Sequence, residues 1–309
     1  MHLTPRLALM LAVPPLLWAG NAVIGRIAIA SIGALWLNAA RWALALLLIA
    51  PLGWRAFGNA DARAAIRQRW PHLALLSLTG VGAYNALQYL ALTTSTPLNV
   101  TLIASSAPVW AMAIGALGYG EHPRRRQLLG AALSLAGVAV VLARGEAAAL
   151  ARVRLVPGDL LMLVAIIGWA LYSWMLARPP ASMRGDARPR WNWAEFLTVQ
   201  IVLGLGWATL AAALGEIVMP TAPPRWSAAL ALALVYVAVG PSLVAYRLWG
   251  LGVAQAGPAL AAFMSNLTPL FAALLSGALL GEWPQPFHGL AFALIVAGIV
   301  VSTPRRPAP

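Results

Sequence analysis

Cysteine is absent from this chain, and so is lysine. The first absence removes disulfides, thiolate nucleophiles and cysteine metal sites in one step. The second is read as codon usage, because arginine orients a membrane chain as well as lysine does. Acidic residues are scarce, with 8 Asp and Glu against 21 basic residues in a chain of 309. Charged residues make up 9% of the whole, where a soluble domain carries about 25%. With 61% hydrophobic residues and a mean hydropathy of +0.79, the chain is read as an all-α integral membrane protein.

Catalytic patterns are lacking as well. Neither HExxH nor a nucleotide phosphate loop occurs, no carboxylate pair falls inside an apolar run, and Ser105-Ser106 has no His or Lys near it in sequence. A membrane-embedded enzyme, the rival from another class, therefore has no constellation to work with. No cofactor or metal is expected, and the missing ATP loop argues against a self-powered pump. The net charge of +13 raises a nucleic-acid partner, but the arginines are scattered over many loops rather than gathered on one polar face. No nucleic-acid partner is expected.

What the chain has in abundance is apolar runs of about twenty residues, the length that crosses a bilayer. Spans are read near 7–28, 33–53, 72–93, 97–118, 126–144, 156–177, 193–215, 227–250, 257–279 and 286–303. The first carries no small-residue cleavage pattern and is read as the insertion signal. With the N-terminus inside, one side collects Arg6, Arg55, Arg63, Arg67, Arg69, Arg124 to Arg126, Arg178, Arg184, Arg188, Arg190, Arg305 and Arg306. The other keeps Arg26, Arg144, Arg152, Arg154 and Arg225. That asymmetry places both termini in the cytoplasm of a bacterial inner membrane. Trp36, Trp54, Trp70, Trp191, Trp193, Trp226 and Trp283 fall at span ends, where indoles anchor at the headgroups.

The second half repeats the first. Pro97 and Pro258, Pro108 and Pro269, Gly120-Glu121 and Gly281-Glu282, Pro123 and Pro284, and Gly137 and Gly298 all lie 161 residues apart. About five spans per copy is an odd number, so the copies run in opposite senses through the membrane, an architecture of alternating-access carriers. The expected architecture is ten transmembrane helices in two inverted repeats, residues 1–150 and 151–309, with a cytoplasmic linker about 178–190 rich in Pro and Arg. An accessory membrane subunit has no obvious use for such duplication.

Trp18-Ala19-Gly20-Asn21 in the first span, Arg41 in the second, and Glu121, Gln127, Gly130 and Gly137-Val138 around the fifth carry a resemblance. In these residues the chain resembles the EamA type of the drug/metabolite transporter superfamily over nearly its whole length. In the second copy Glu282 and Gly298 are kept, but Gly289 is shifted relative to Gly130, so the match is weaker there. The tryptophan- and tyrosine-rich interior looks most like the YddG-type exporters of aromatic amino acids. The resemblance implies a carrier whose spans 1, 3, 4, 6, 8 and 9 line a central cavity while 5 and 10 buttress it. Spans 5 and 10 carry almost no aromatic or amide side chains, as packing helices should.

In span 1, Pro14, Trp18, Asn21 and Gly25 share a face, and Trp169 and Tyr172 hold related positions 151 residues on. Facing tryptophans with a polar group one turn later would stack an aromatic side chain and hold an ammonium over an indole; bulk packing of helices is the equal alternative. Span 3 offers Tyr84, Asn85 and Gln88, and span 8 offers Ser242, Tyr246 and Trp249. Amides cost free energy in lipid, so Gln88 is placed against a cavity ahead of a neighbouring helix. Span 4 carries two stripes, one with Asn99, Ser106 and Trp110 and the other with Thr101, Ser105 and Pro108; Ser105 falls opposite Asn266. Pro108 and Pro269 each free a backbone carbonyl one turn earlier, as hinges or as kinks that shape the bundle.

The expected substrate contacts are therefore Trp18, Asn21, Tyr84, Gln88, Asn99, Ser105, Trp169, Tyr172, Tyr246, Trp249 and Asn266. Glu121 and Glu282 sit in Gly-Glu-x-Pro turns, where a carboxylate complements a helix N-terminus. No Asp or Glu lies at the expected midplane, and His2, His72, His122 and His288 are near span ends. Gradient-driven pumps keep an ionisable group at the site, so facilitated export of an amino acid or related metabolite is expected. Arg41 and Arg247 are expected to snorkel to the interfaces and are left out of the core site; for Arg247 the alternative is to hold a substrate carboxylate. Gly277 to Gly281 forms GxxxG, a close-contact pattern that serves an internal contact or a weak dimer equally.

Overall fold

The computed structural model describes residues 4–95, 100, 103–143, 145–146, 148, 156–280 and 285–303. Asn99, Glu282, Trp283 and Arg144, Arg152 and Arg154 lie outside them. The regular structure among the described residues is all helical, without a strand. Helix α1 (Pro5–Ala28) starts where sequence rules put it: the Thr4 hydroxyl accepts from the Leu7 amide and Pro5 follows in the first turn, where its missing N–H costs nothing. Then come α2 (Ala34–Gly53), α3 (Ala60–Gln68), α4 (Trp70–Ser77) and α5 (Tyr84–Thr94). The helix α3, capped by Asn59 and without a buried residue, lies between the expected spans 33–53 and 72–93.

Next are α6 (Ala107–Tyr119), α7 (Arg125–Leu142), α8 (Pro157–Ala177), α9 (Trp193–Val218), α10 (Ala228–Val237), α11 (Ala245–Ala256), α12 (Pro258–Ser265), α13 (Thr268–Leu280) and α14 (Pro286–Ser302). Five stretches are long and apolar enough to cross a membrane: Pro5–Gly25, Ala34–Phe57, Pro157–Ala177, Trp193–Val218 and Ala228–Ala256. The linker holds two short turns, Ala181–Met183 and Gly185–Ala187. It is tied down by the Arg69 guanidinium, which donates to the Ser182 and Ala187 carbonyls at 2.8 and 2.7 Å.

Two kinds of interruption recur at the 161-residue spacing. Helices α4 and α5 are joined by a π-helical segment, Leu78–Ala83, and α10 and α11 by another, Ala238–Val244. Such wide turns free carbonyls from the helical ladder, and other helices take them up. The Asn38 amide donates to Gly82 O at 3.2 Å, the Trp18 indole to Pro241 O at 3.3 Å, and the Tyr246 hydroxyl to Gly80 O. Gly80 also leaves room for Tyr172, whose ring would collide with a Cβ there.

The second kind is a break just before Pro108 and Pro269. Helix α6 begins at Ala107, with Pro108 in its first turn, and α13 begins at Thr268. Proline cannot donate the next ladder bond, and nearby hydroxyls make up part of the loss. Ser106 Oγ bonds Ile103 O at 2.5 Å, and Thr268 Oγ1 bonds Ser265 O at 2.7 Å.

Packing is most extensive between α7 and α14, then between α2 and α9; α1 lies on α11 and α13, and α8 on α5 and α6. The α7–α14 seam is lined by small residues that let the backbones close up. The largest buried cluster sits between α1, α2, α8, α11 and α12, around Trp42, Trp169, Trp249 and Phe263.

Candidate functional site

Trp169 on α8 is the centre of an aromatic layer. Its ring centroid lies 5.2 Å from that of Trp18, 5.1 Å from Tyr84, 5.0 Å from Tyr172, and 5.5 Å from both Tyr246 and Trp249. Trp18 meets it edge to face at 89°, a favoured aromatic geometry worth about 0.5–1.5 kcal/mol per pair beyond burial. The two indoles therefore touch, and no third ring fits between them in this conformation. In this conformation the two tryptophans pack on each other, and both also line the cavity described next.

Beside that layer lies a cavity of about 110 Å³, smaller than the ~300–1,000 Å³ of small-molecule sites, so a substrate needs it to widen. Trp18, Tyr84 and Trp169 give it aromatic surface, and Asn21, Asn85, Gln88, Ser105, Ser265 and Thr268 give it polar groups. It draws on α1, α5, α8, the segment leading to α6, and the α12–α13 break, so both halves of the chain build it. Among its described lining residues none is ionisable at neutral pH. Pro269 reaches the lining, whereas Pro108 is buried in α6.

Six of the expected contacts thus meet at one cavity: Trp18, Asn21, Tyr84, Gln88, Ser105 and Trp169. Four stand outside its lining. Tyr172 donates to Gln200 Oε1 at 3.1 Å, the Trp249 indole donates to Ser173 Oγ at 3.1 Å, and Tyr246 is committed to Gly80 O. Asn266 is fully buried, neither amide atom having a hydrogen-bond partner. Its neighbours in the turn, Ser265 and Thr268, face the cavity in its place. Asn99 lies outside the described residues. Span 8 contributes nothing to the described lining: Ser242 donates to Val237 O and accepts from Arg41, Tyr246 donates to Gly80 O, and Trp249 donates to Ser173 on α8.

Arg41 differs from expectation. It lies two turns inside α2 and is 0% exposed. The guanidinium turns inward and donates to Ser242 Oγ through Nε (3.1 Å) and Nη2 (2.7 Å), and through Nη1 to Asn21 Oδ1 (3.2 Å) and Tyr89 OH (3.0 Å). It also lies 5.3 Å from the Trp42 ring centre. The sequence signal for this network is the presence of four polar groups, Asn21, Arg41, Tyr89 and Ser242, deep inside four different apolar runs. In lipid they have to find one another. Tyr89 escaped notice because a lone tyrosine reads as packing.

Arg247 is half-buried over the Trp193 ring, 5.0 Å from its centre, at the start of α11 and nine residues before that helix ends, not late in its span as expected. Glu121 does not cap α7; its carboxylate pairs with Arg178 across to the end of α8, the one ion pair among the described residues. That pair borders a second, polar cleft shared with His122, Arg124 and Arg126.

The model of the EamA-like transporter family matches this chain twice, over residues 6–143 and 156–303. An uncharacterized transporter of Archaeoglobus fulgidus is 26% identical over 96% of this chain and 97% of its own length. The aromatic amino acid exporter YddG of Ancylobacter novellus is 27% identical over 78% of each chain. A probable terminal-alkyne amino-acid exporter of Streptantibioticus cattleyicolor is 25% identical over 92% of this chain and 89% of its own. One crystal structure superposes with a TM-score of 0.72 at 24% identity, covering 96% of both chains. The chain belongs to the EamA-like transporter family of the drug/metabolite transporter superfamily and is a membrane transporter.

Proposed function

We propose that this transporter exports aromatic or other amphipathic amino acids by alternating access, down the substrate gradient and without a coupling ion. The observation that carries the reading is the composition of the cavity: three aromatic rings beside three amides and three hydroxyls, with no ionisable lining side chain among the described residues. Rings bind a flat apolar side chain, amides and hydroxyls satisfy its polar end, and a proton- or sodium-driven carrier would keep a carboxylate there. Two relatives whose names specify amino-acid export, one of them aromatic, agree with this.

The architecture proposed with it is ten crossings in two inverted five-helix repeats, 1–150 and 151–309, with both termini cytoplasmic in a bacterial inner membrane, working as a monomer or weak dimer. Support comes from the double family match, from π segments and helix breaks that recur 161 residues apart, and from the arginine-rich linker. Pro108 and Pro269, at those breaks, are the proposed hinges.

The test is uptake of labelled phenylalanine and tryptophan into proteoliposomes, with and without an imposed pH gradient. Saturable uptake indifferent to the gradient is expected. Uptake that needs the gradient would overturn the uncoupled mechanism, and no uptake above empty liposomes would move the substrate to other small metabolites or drugs.

A further inference from the structure

Arg41 is a guanidinium with no exposed surface and no carboxylate partner among the described residues. Its oxygen partners are all neutral: the Ser242 hydroxyl, the Tyr89 hydroxyl and the Asn21 amide. A buried cation is costly unless hydrogen-bonded and charge-compensated. Here the hydrogen bonds are present and the compensating charge is not. An uncompensated cation in a low-dielectric interior projects its field into the nearest space that can hold an anion.

The same network fixes what Asn21 presents to the cavity. Asn21 Oδ1 accepts from Arg41 Nη1 at 3.2 Å and from Tyr89 OH at 3.0 Å, while Tyr89 OH itself accepts from Arg41 at 3.0 Å. The opposite amide orientation would set Nδ2 donors against guanidinium donors, so it is excluded by chemistry and not merely by fit. Asn21 lines the cavity, and the atom left for that space is Nδ2, with two N–H groups polarised by the cation behind them.

We infer that Asn21 is the carboxylate-binding residue of the cavity and that Arg41 acts through it as a positioning and charge-supplying residue, so that the site selects α-carboxylates over otherwise identical neutral or cationic molecules. The inference rests on the transport reading above and deepens it. The substrate carboxylate accepts from Asn21 Nδ2, and the side chain lies toward Trp18, one helical turn away, and Trp169 and Tyr84 beyond it. Tyr89 holds the amide in register.

The experiment compares transport of tryptophan, tryptophanamide and tryptamine by the full-length protein in proteoliposomes, for wild type, Arg41→Gln, Asn21→Asp and Tyr89→Phe. Wild type should prefer tryptophan over both analogues by about tenfold to a hundredfold, the range for one hydrogen bond to a charged group. Arg41→Gln and Asn21→Asp should bring that ratio near one. Asn21→Asp guards against misfolding: it gives Arg41 a carboxylate partner in place, so the protein should melt no lower than wild type while losing its preference for the acid. A merely structural network would move the melting temperature in these variants and leave the substrate ratio alone. Equal transport of all three compounds by wild type, or an unchanged ratio in Asn21→Asp, would overturn the inference while the transport reading stands. Transport of none of the three would overturn both.

Discussion

Gly130 on α7 and Gly298 on α14 face each other so closely that a Cβ on either would sit 2.6 Å from the other's carbonyl oxygen. The same seam brings Gly137 against Ala291, where a Cβ on Gly137 would lie 2.8 Å from the Ala291 carbonyl. Moving each residue of the first contact by 161 gives the second, so the seam obeys the spacing at which the sequence repeats itself. Gly298→Val and Gly137→Val are therefore both expected to destabilise the protein by about 1–3 kcal/mol through overpacking. Thermal melting in detergent checks this; a wild-type melting temperature for either would show that the seam is looser than described.

Trp169 touches five aromatic rings and is 5% exposed. Trp169→Ala is expected to cost about 3–5 kcal/mol of stability. Trp169→Phe keeps the layer closed while removing the indole, and should raise the KM for aromatic substrates by up to about tenfold, the worth of one aromatic contact. Uptake kinetics of the Phe variant, purified folded, decide whether Trp169 is wall or only filling.

Glu121 and Arg178 have side chains 51% and 52% exposed, so their pairing contributes only about 0–1 kcal/mol and weakens with salt. Glu121→Gln is expected to lower the melting temperature slightly at low salt, with no difference at high salt, and to leave transport unchanged with or without a pH gradient. Loss of transport in this variant would identify Glu121 as a coupling group.

Asn266 is buried with neither amide atom bonded. An unsatisfied buried polar group costs about 1–3 kcal/mol, so Asn266→Leu, similar in shape, should raise the melting temperature. A drop would mean that the amide has found a partner in solution, as it would if it swung toward the cavity.

The sequence made visible what proline, glycine and amide groups impose. Pro108 and Pro269 announced the breaks at α6 and α13, and Trp18, Asn21, Tyr84, Gln88, Ser105 and Trp169 were recognisable as a cavity set because polar and aromatic groups inside apolar runs need a reason to be there. Rotation about a helix axis was not legible. Residues that share a helix face by spacing can still meet different neighbours, and Tyr172, Tyr246 and Trp249 fall on helix contacts rather than the lining. The π segments were hidden too, since widening a turn leaves no composition signal beyond Gly80, Gly82 and Gly240. The place of Arg41 near its span start does not decide where its charge goes; the acceptors on α1, α5 and the second π segment do.

The central claim is that substrate occupies this cavity and that the cavity opens to each side in turn. Because the chain has no cysteine, Gln88→Cys places a single thiol in the lining without further engineering. Gln88 is half-buried there and makes no hydrogen bond among the described residues, so the substitution should be well tolerated. The measurement is the rate of labelling by a membrane-impermeant maleimide applied from either face of oriented vesicles. Labelling from both faces, slowed from both by phenylalanine, is the predicted result; labelling confined to one face, or a rate that no aromatic amino acid changes, would contradict it.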